Sequence, residues 1–357
     1  MKLTSEQEMI QRMVREFAEK EFSELSVTID KGGVYPTEAL QKVSPLGLMG
    51  LFIPQEYGGA GADTVSYVLS IEEIAKVCAS TATILAVHNS LVCATLNKFG
   101  NEEQKKKFLA PLAQEGLGAF IIAEPDEIKV TPEGDEYLLN GSKKYVTSGG
   151  EAEYYLMLPT EGDKCFIVSG DADGLSFGDA AGTIGLRGAV TRPVIFDGVK
   201  VPGENLIEGD GMASYALDEF HIAIAAVCAG ISRAALEHSV DYSLERNQFG
   251  MPIAFFQAIK WKLARMYEKA QTSEILALEA ARAKDEKMNF SDKSKVAKLY
   301  ASEAVTWVAK QGVLIHGGTG YTREVPLERY ARDARAMPLI GGNTESILDS
   351  LAAGLFD

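Results

Sequence analysis

Three short stretches gather residues able to do chemistry. Glu245–Ile259 (ERNQFGMPIAFFQAI) carries Arg246, whose planar guanidinium can make paired, charge-assisted hydrogen bonds to a phosphate. In His316–Tyr321 (HGGTGY), Gly317 and Gly318 lack the Cβ that would keep a phosphate away from backbone N–H groups. Leu217–Ile222 (LDEFHI) places Asp218, Glu219 and His221 within one helical turn. A histidine can titrate near neutrality, although a lone one on a helix is more often packed or hydrogen-bonded. Taken singly, Arg246 reads as a solvated or helix-capping cation, and Glu345 in Ile340–Ile347 (IGGNTESI) as a surface or cap residue.

These stretches need a scaffold, and the chain of 357 residues with 46% hydrophobic content can bury a large core of two or three domains. Thr4 and Gln7 stand in capping-box spacing before Ile10, Met13, Val14 and Phe17, which predicts a helix over Thr4–Leu25. Further helices are expected near Thr37–Met49, as a pair over Asp63–Phe99, and at Lys98–Leu112. From Gly118 the pattern changes to short β-like runs (Phe120–Ala123, Glu136–Asn140, Tyr154–Leu158, Cys165–Ser169, Val194–Phe196) split by glycine and proline turns, as in an antiparallel barrel or sandwich. Helical periodicity returns at Asp210–Arg246, Ile253–Lys287, Asp292–Ile315 and from Asn343, enough for a four-helix bundle. The expected class is α+β multidomain: a helical domain 1–117, a β domain 118–209 and a bundle 210–357.

A formal charge of −15 argues against a nucleic-acid footprint or an anionic membrane surface. No apolar run is read as long enough for a membrane span, and MKLTSEQEM lacks the plan of a signal peptide. Cys78, Cys93, Cys165 and Cys228 are widely spaced, as expected of buried free thiols in a reducing compartment, and neither they nor the four histidines suggest a metal site. A cytoplasmic protein is expected.

The three stretches with Ala75–Ser90 (AKVCASTATILAVHNS) and Val201–Leu206 (VPGENL) strongly resemble the acyl-CoA dehydrogenases, especially the short-chain branch. The resemblance covers essentially the whole chain and implies FAD, an acyl-CoA thioester and the same helix–β–helix order. It implies that Arg246, Gln248, Phe249, Phe256 and Gln257 hold the dinucleotide of a neighbouring subunit, with Gly317 and Gly318 beside a phosphate. Thr147 and Thr344 match residues near the flavin, and Leu314 stands where the family often has Gln. Helix residues Arg329, Arg332, Asp333 and Arg335 match a segment that supports subunit packing.

Several departures lie on the flavin side. The family's Thr-Glu-Pro and Gly-rich loop is replaced by Ala123 and Glu124–Lys129, with the loop shortened, and Leu158–Cys165 is a second shortening. The carboxylate that removes the substrate α-proton is replaced by Gly342. The alternative family position, a Glu before an Arg, reads Phe220–His221. Glu219 is the candidate displaced base, one residue away and thus turned by about 100° around a helix. Three functions are compatible with this pattern: a working FAD-dependent dehydrogenase, a degenerate subunit completing a partner in a homo- or hetero-oligomeric (dimeric or tetrameric) assembly, and a non-redox binding or regulatory protein. Electron transfer flavoprotein is the partner implied for a working enzyme.

Overall fold

Side-chain capping starts the first helix as the sequence predicts. In the computed structural model, which describes residues 2–124, 127–159 and 163–356, α1 is Ser5–Gly32. Thr4 Oγ1 accepts the Gln7 N–H at 3.2 Å, and Gln7 Oε1 accepts the Thr4 N–H at 3.0 Å. The helix passes the expected end at Leu25 and stops where Gly33 takes a left-handed φ of 59°. α2 (Thr37–Val43) is shorter than expected, because Ser44–Leu46 tightens into a 3₁₀ turn. α3 (Thr64–Val77) is N-capped by Asp63, and α4 (Ala79–Phe99) widens into a π turn at Val87–Cys93. The first third closes with a helix, α5, over 102–114.

α3 and α4 are buried along almost their whole length, and the carboxylates this encloses on α3, Glu72 and Glu73, are paired with Arg233 and Arg15. By length and composition α4 and Met212–Glu245 are each able to cross a bilayer, which corrects the expectation that no apolar run is long enough. Their apolar windows are 100% and 89% buried inside the protein, so both serve here as core helices.

Eight strands then form two four-stranded sheets. β1 (Gly118–Ala123), β4 (Tyr154–Pro159), β5 (Lys164–Ser169) and β8 (Leu206–Glu208) pair in that order. β2 (Ile128–Glu133), β3 (Glu136–Thr147), β7 (Thr191–Pro202) and β6 (Leu175–Phe177) form the other. The second sheet is antiparallel throughout. In the first, β1 and β4 run parallel, with Gly118 opposite Tyr154, which corrects the expectation of a wholly antiparallel layer. The reason is topological: the β2–β3 hairpin lies in the other sheet, so the chain re-enters the first in its original direction.

The last third contains α6 (Met212–Glu245), α7 (Gln257–Asp285), α8 (Ser291–His316), α9 (Leu327–Asp333) and α10 (Thr344–Phe356). α3 packs on α6 and α7, so a single buried cluster runs from the first third into the bundle. α9 ties the chain to itself: Arg332 pairs with Asp30 at 2.7 Å, Arg329 donates to Ser26 Oγ, and Asp333 accepts the Leu186 N–H at 2.6 Å. Arg329, Arg332 and Asp333, three of the four residues expected to support subunit packing, therefore already have partners within their own chain. All four cysteines are buried and free.

One side chain joins three segments. His88 Nδ1 accepts the Gly118 N–H at 3.0 Å, while Nε2 donates to Met49 O at 2.9 Å and Leu112 O at 3.1 Å. Burial, which disfavours the charged ring, pushes its pKa down to about 4. A folded pKa below the unfolded value near 6.5 means the unfolded chain takes up the proton first. This contribution to stability is thus complete above about pH 6.5 and lost as pH falls towards about 4, amounting to about 3 kcal/mol. The His88 imidazole resonances are expected to stay those of the neutral ring down to about pH 5. A titration midpoint near 6.5 would contradict this account.

Candidate functional site

α6 ends at Glu245, and the chain turns back through a two-residue hairpin, Asn247–Gln248 against Met251–Pro252. Its central residues, Phe249 and Gly250, have φ of 51° and 83°. Two successive positive φ values suit Asn-Gly or Gly-Gly, so Phe249 stands in a conformation unfavourable for an aromatic residue, with 92% of its surface exposed. Phe256 meets it edge-on at 6.1 Å between ring centroids. Arg246, Gln248 and Gln257 are all exposed. Gln257 opens α7, a helix of 29 residues whose N-cap, Phe256, has no side-chain cap. The positive end of that helix faces solvent.

Gly317 and Gly318 lie at the same end of the bundle. Gly317 has φ 60° and ψ −132°, and at both glycines the space a Cβ would occupy is open. The stacking of Tyr242 on His316, 4.2 Å between rings, holds the end of α6 against the end of α8. Arg246, Gln248, Phe249, Phe256, Gln257, Gly317 and Gly318 thus lie at one end of the bundle, with donors and aromatic faces open to solvent. It suits a phosphate-bearing, planar ligand.

The other candidates lie elsewhere. Glu219 precedes Glu245 by 26 positions on α6, which separates them by about 40 Å along the helix axis. One dinucleotide therefore cannot meet both ends of the bundle of a single chain. Near Glu219's end, Gly341 and Gly342 have φ of 72° and 97°. A Cβ on Gly342 would come within 3.2 Å of Ser346 Oγ, and one on Gly341 within 3.0 Å of the Phe220 ring. Phe220 is buried against this loop. Asn343 Oδ1 accepts the Ser346 N–H at 2.8 Å at the start of α10, which leaves Thr344 half-buried in its first turn and Glu345 exposed.

Glu219 is paired with a residue on another helix. Its Oε2 accepts from Lys284 Nζ at 2.6 Å, and Lys284 lies 4.4 Å over the Phe52 ring. Glu219 is buried, and Oε1 has no hydrogen-bond partner. His221 Nε2 donates to Gly341 O at 2.6 Å, with burial pushing its pKa down to about 4, so the ring is neutral at pH 7. Lys298, fully buried, donates to Gly342 O at 2.7 Å, and burial pushes its pKa down to about 8. Sequence reasoning missed Lys284 and Lys298. The signal for Lys298 was a charge on the apolar stripe of α8, between Ser294 and Ala301.

Thr147 ends β3, half-buried opposite Thr191. The next residue, Ser148, has φ 62° and a hydroxyl 2.9 Å from the Tyr35 hydroxyl. Ala123 ends β1 and is buried. The shortened segment after it includes Pro125 and Asp126, and the second shortening includes 160–162, all outside the described residues. Glu127, on the far flank, pairs with Lys143 at 2.6 Å.

The arrangement matches a family over nearly all of its length. The N-terminal domain of acyl-CoA dehydrogenases matches residues 4–116, the middle domain 120–199 and the C-terminal domain 208–356. The chain belongs to the acyl-CoA dehydrogenase family. An acyl-CoA dehydrogenase of Bacillus subtilis is 40% identical, with 97% of this chain and 96% of that protein aligned. A short-chain specific acyl-CoA dehydrogenase of Clostridium acetobutylicum is 36% identical, over 96% of each. The butyryl-CoA dehydrogenase structure from Megasphaera elsdenii superposes with a TM-score of 0.96 at 34% identity, covering 100% of both chains.

In this acyl-CoA dehydrogenase-family chain the Glu219–Lys284 pair has a testable cost. Lys284→Met leaves a buried carboxylate without its cation and is expected to destabilise by about 3 kcal/mol. Adding Glu219→Gln is expected to recover most of that loss in urea unfolding. A single mutant as stable as the parent would show that the pair is not formed.

Proposed function

We propose that the protein is a FAD-binding acyl-CoA dehydrogenase-family subunit that has lost its own proton-abstracting base. In this reading it completes the site of a catalytically intact partner in a mixed oligomer. FAD, when bound, supplies the hydride acceptor for α,β-dehydrogenation of an acyl-CoA thioester. Arg246 and the exposed α7 N-terminus would hold the dinucleotide of a neighbouring subunit by charge-assisted hydrogen bonds. Gln248 and Gln257 would add polar contacts, Phe249 and Phe256 aromatic faces, and Gly317 and Gly318 a close backbone approach. Thr147 and Thr344 would face the flavin held on this chain's own side. Residues 1–117, 118–209 and 210–357 would be the three domains that carry these parts.

The observation that carries the reading is the state of the proton-transfer side. Gly342 sits at φ 97°, and Phe220 is buried at the alternative position. The candidate displaced base, Glu219, is committed to Lys284 at 2.6 Å. A general base must reach the proton it takes, and neither position offers one. The shortened segment after Ala123 removes family donors to the flavin, each worth roughly 1 kcal/mol. Four buried free thiols suit a reducing, cytoplasmic setting. Electron transfer flavoprotein would accept electrons from the partner's site.

The test is the visible spectrum of the purified chain with and without a co-expressed intact homologue. The chain alone is expected to show no flavin band that bleaches with a short acyl-CoA, and the mixed oligomer to be yellow and to bleach. A chain that bleaches by itself, and stops doing so as Glu219→Gln, would make it a working dehydrogenase. A colourless chain that captures no homologue would make it a non-redox binder. In the mixed oligomer, Arg246→Ala is expected to weaken FAD retention by about ten- to a hundredfold, the loss of one charge-assisted hydrogen bond. Gly342→Glu is expected to cost about 1–2 kcal/mol of stability, since an L-residue is disfavoured at positive φ, without restoring bleaching.

A further inference from the structure

Buried side chains from two helices hold the loop that bears Gly342. Lys298 on α8 donates to Gly342 O at 2.7 Å and to Pro338 O at 3.3 Å. His221 on α6 donates to the intervening Gly341 O at 2.6 Å. The loop has no side chain at either glycine with which to fix itself, and both glycines occupy the left-handed region. Its position therefore depends on where its carbonyls are caught.

An ammonium in this place is not needed for packing. Lys298 is fully buried, and its hydrogen-bond partners are carbonyls only. An unpaired buried cation is costly, and an apolar side chain of similar length would fill the same space more cheaply. His221 is equally committed: its Nδ1 is buried without a hydrogen-bond partner, and Asp218 Oδ1 stands 3.9 Å away. Both groups spend their donors on the loop, and each comes from a different rigid helix.

We propose that Lys298 and His221 are positioning residues that jointly clamp the 338–342 loop and so set the shape of the acyl-CoA side of the site. The proposal rests on reading that loop as the element facing the thioester. The clamp acts through backbone carbonyls alone, so it works whatever residue stands at 342. Loss of the carboxylate would leave acyl-CoA recognition in place.

Amide hydrogen exchange and acyl-CoA affinity, measured on the full chain as Lys298→Met, His221→Leu and His221→Gln, test the clamp. Exchange within 339–343 is expected to rise at least tenfold in the first two, with α4 and the body of α8 unchanged. His221→Gln keeps a donor and is expected to stay near the parent. Affinity for butyryl-CoA by calorimetry is expected to fall about tenfold in the first two variants only. Exchange that rises evenly through α6 and α8, or does not rise at all, overturns the clamp. So does a parent chain that binds butyryl-CoA with an affinity neither variant alters. A parent that fails to bind butyryl-CoA removes the thioester-facing reading instead, and the ligand-free exchange result then decides the clamp alone.

Discussion

The length of α6 is the constraint on which the rest of the architecture depends. Its 34 residues form one unbroken helix, buried along most of its course, and a helix of that length cannot fold back on itself. The chain accordingly places Arg246 and the glycines after α8 at one end of the bundle, and Glu219, His221 and the Gly341–Gly342 loop at the other. The two groups are separated by about 40 Å along the helix axis.

The two ends differ in how their polar groups are used. At the Arg246 end, donors are exposed and Phe249 holds a strained backbone, a state that leaves binding capacity unspent. At the loop end three polar side chains are committed to partners within the chain. Lys284 goes to Glu219, Lys298 to backbone carbonyls, and His221 to Gly341. Glu219 Oε2 already accepts from an ammonium at 2.6 Å, and removing that partner would leave a buried carboxylate uncompensated. The exposed groups at one end and the paired groups at the other are thus in contrasting states.

Much of this was legible in the residues, for physical reasons that differ by element. Thr4 with Gln7 announces a helix start, because capping is local chemistry written within four residues. The exposed hairpin after α6 was legible in part, because its residues lie in one contiguous stretch. The parallel pairing of β1 with β4 was not, since alternation reveals a strand but not its neighbour. Nor was the fate of Glu219, whose partner lies 65 positions away on another helix. The apparent lack of a membrane-length segment failed for a simpler reason: α4 and α6 mix small and polar residues among the apolar ones, and only the packed structure shows how completely they are enclosed.

The ring of His88 bears on modularity. It receives its amide partner from Gly118, the first residue of β1, and donates to Met49 and Leu112 on the helical side. α3 meanwhile lies against α6, more than a hundred positions downstream. Cutting the chain where its helical and β segments meet would strip an enclosed imidazole of its acceptor contact and bare an apolar helix face to water. The three family segments are units of descent, then, but not fragments that a clone or a protease could separate intact.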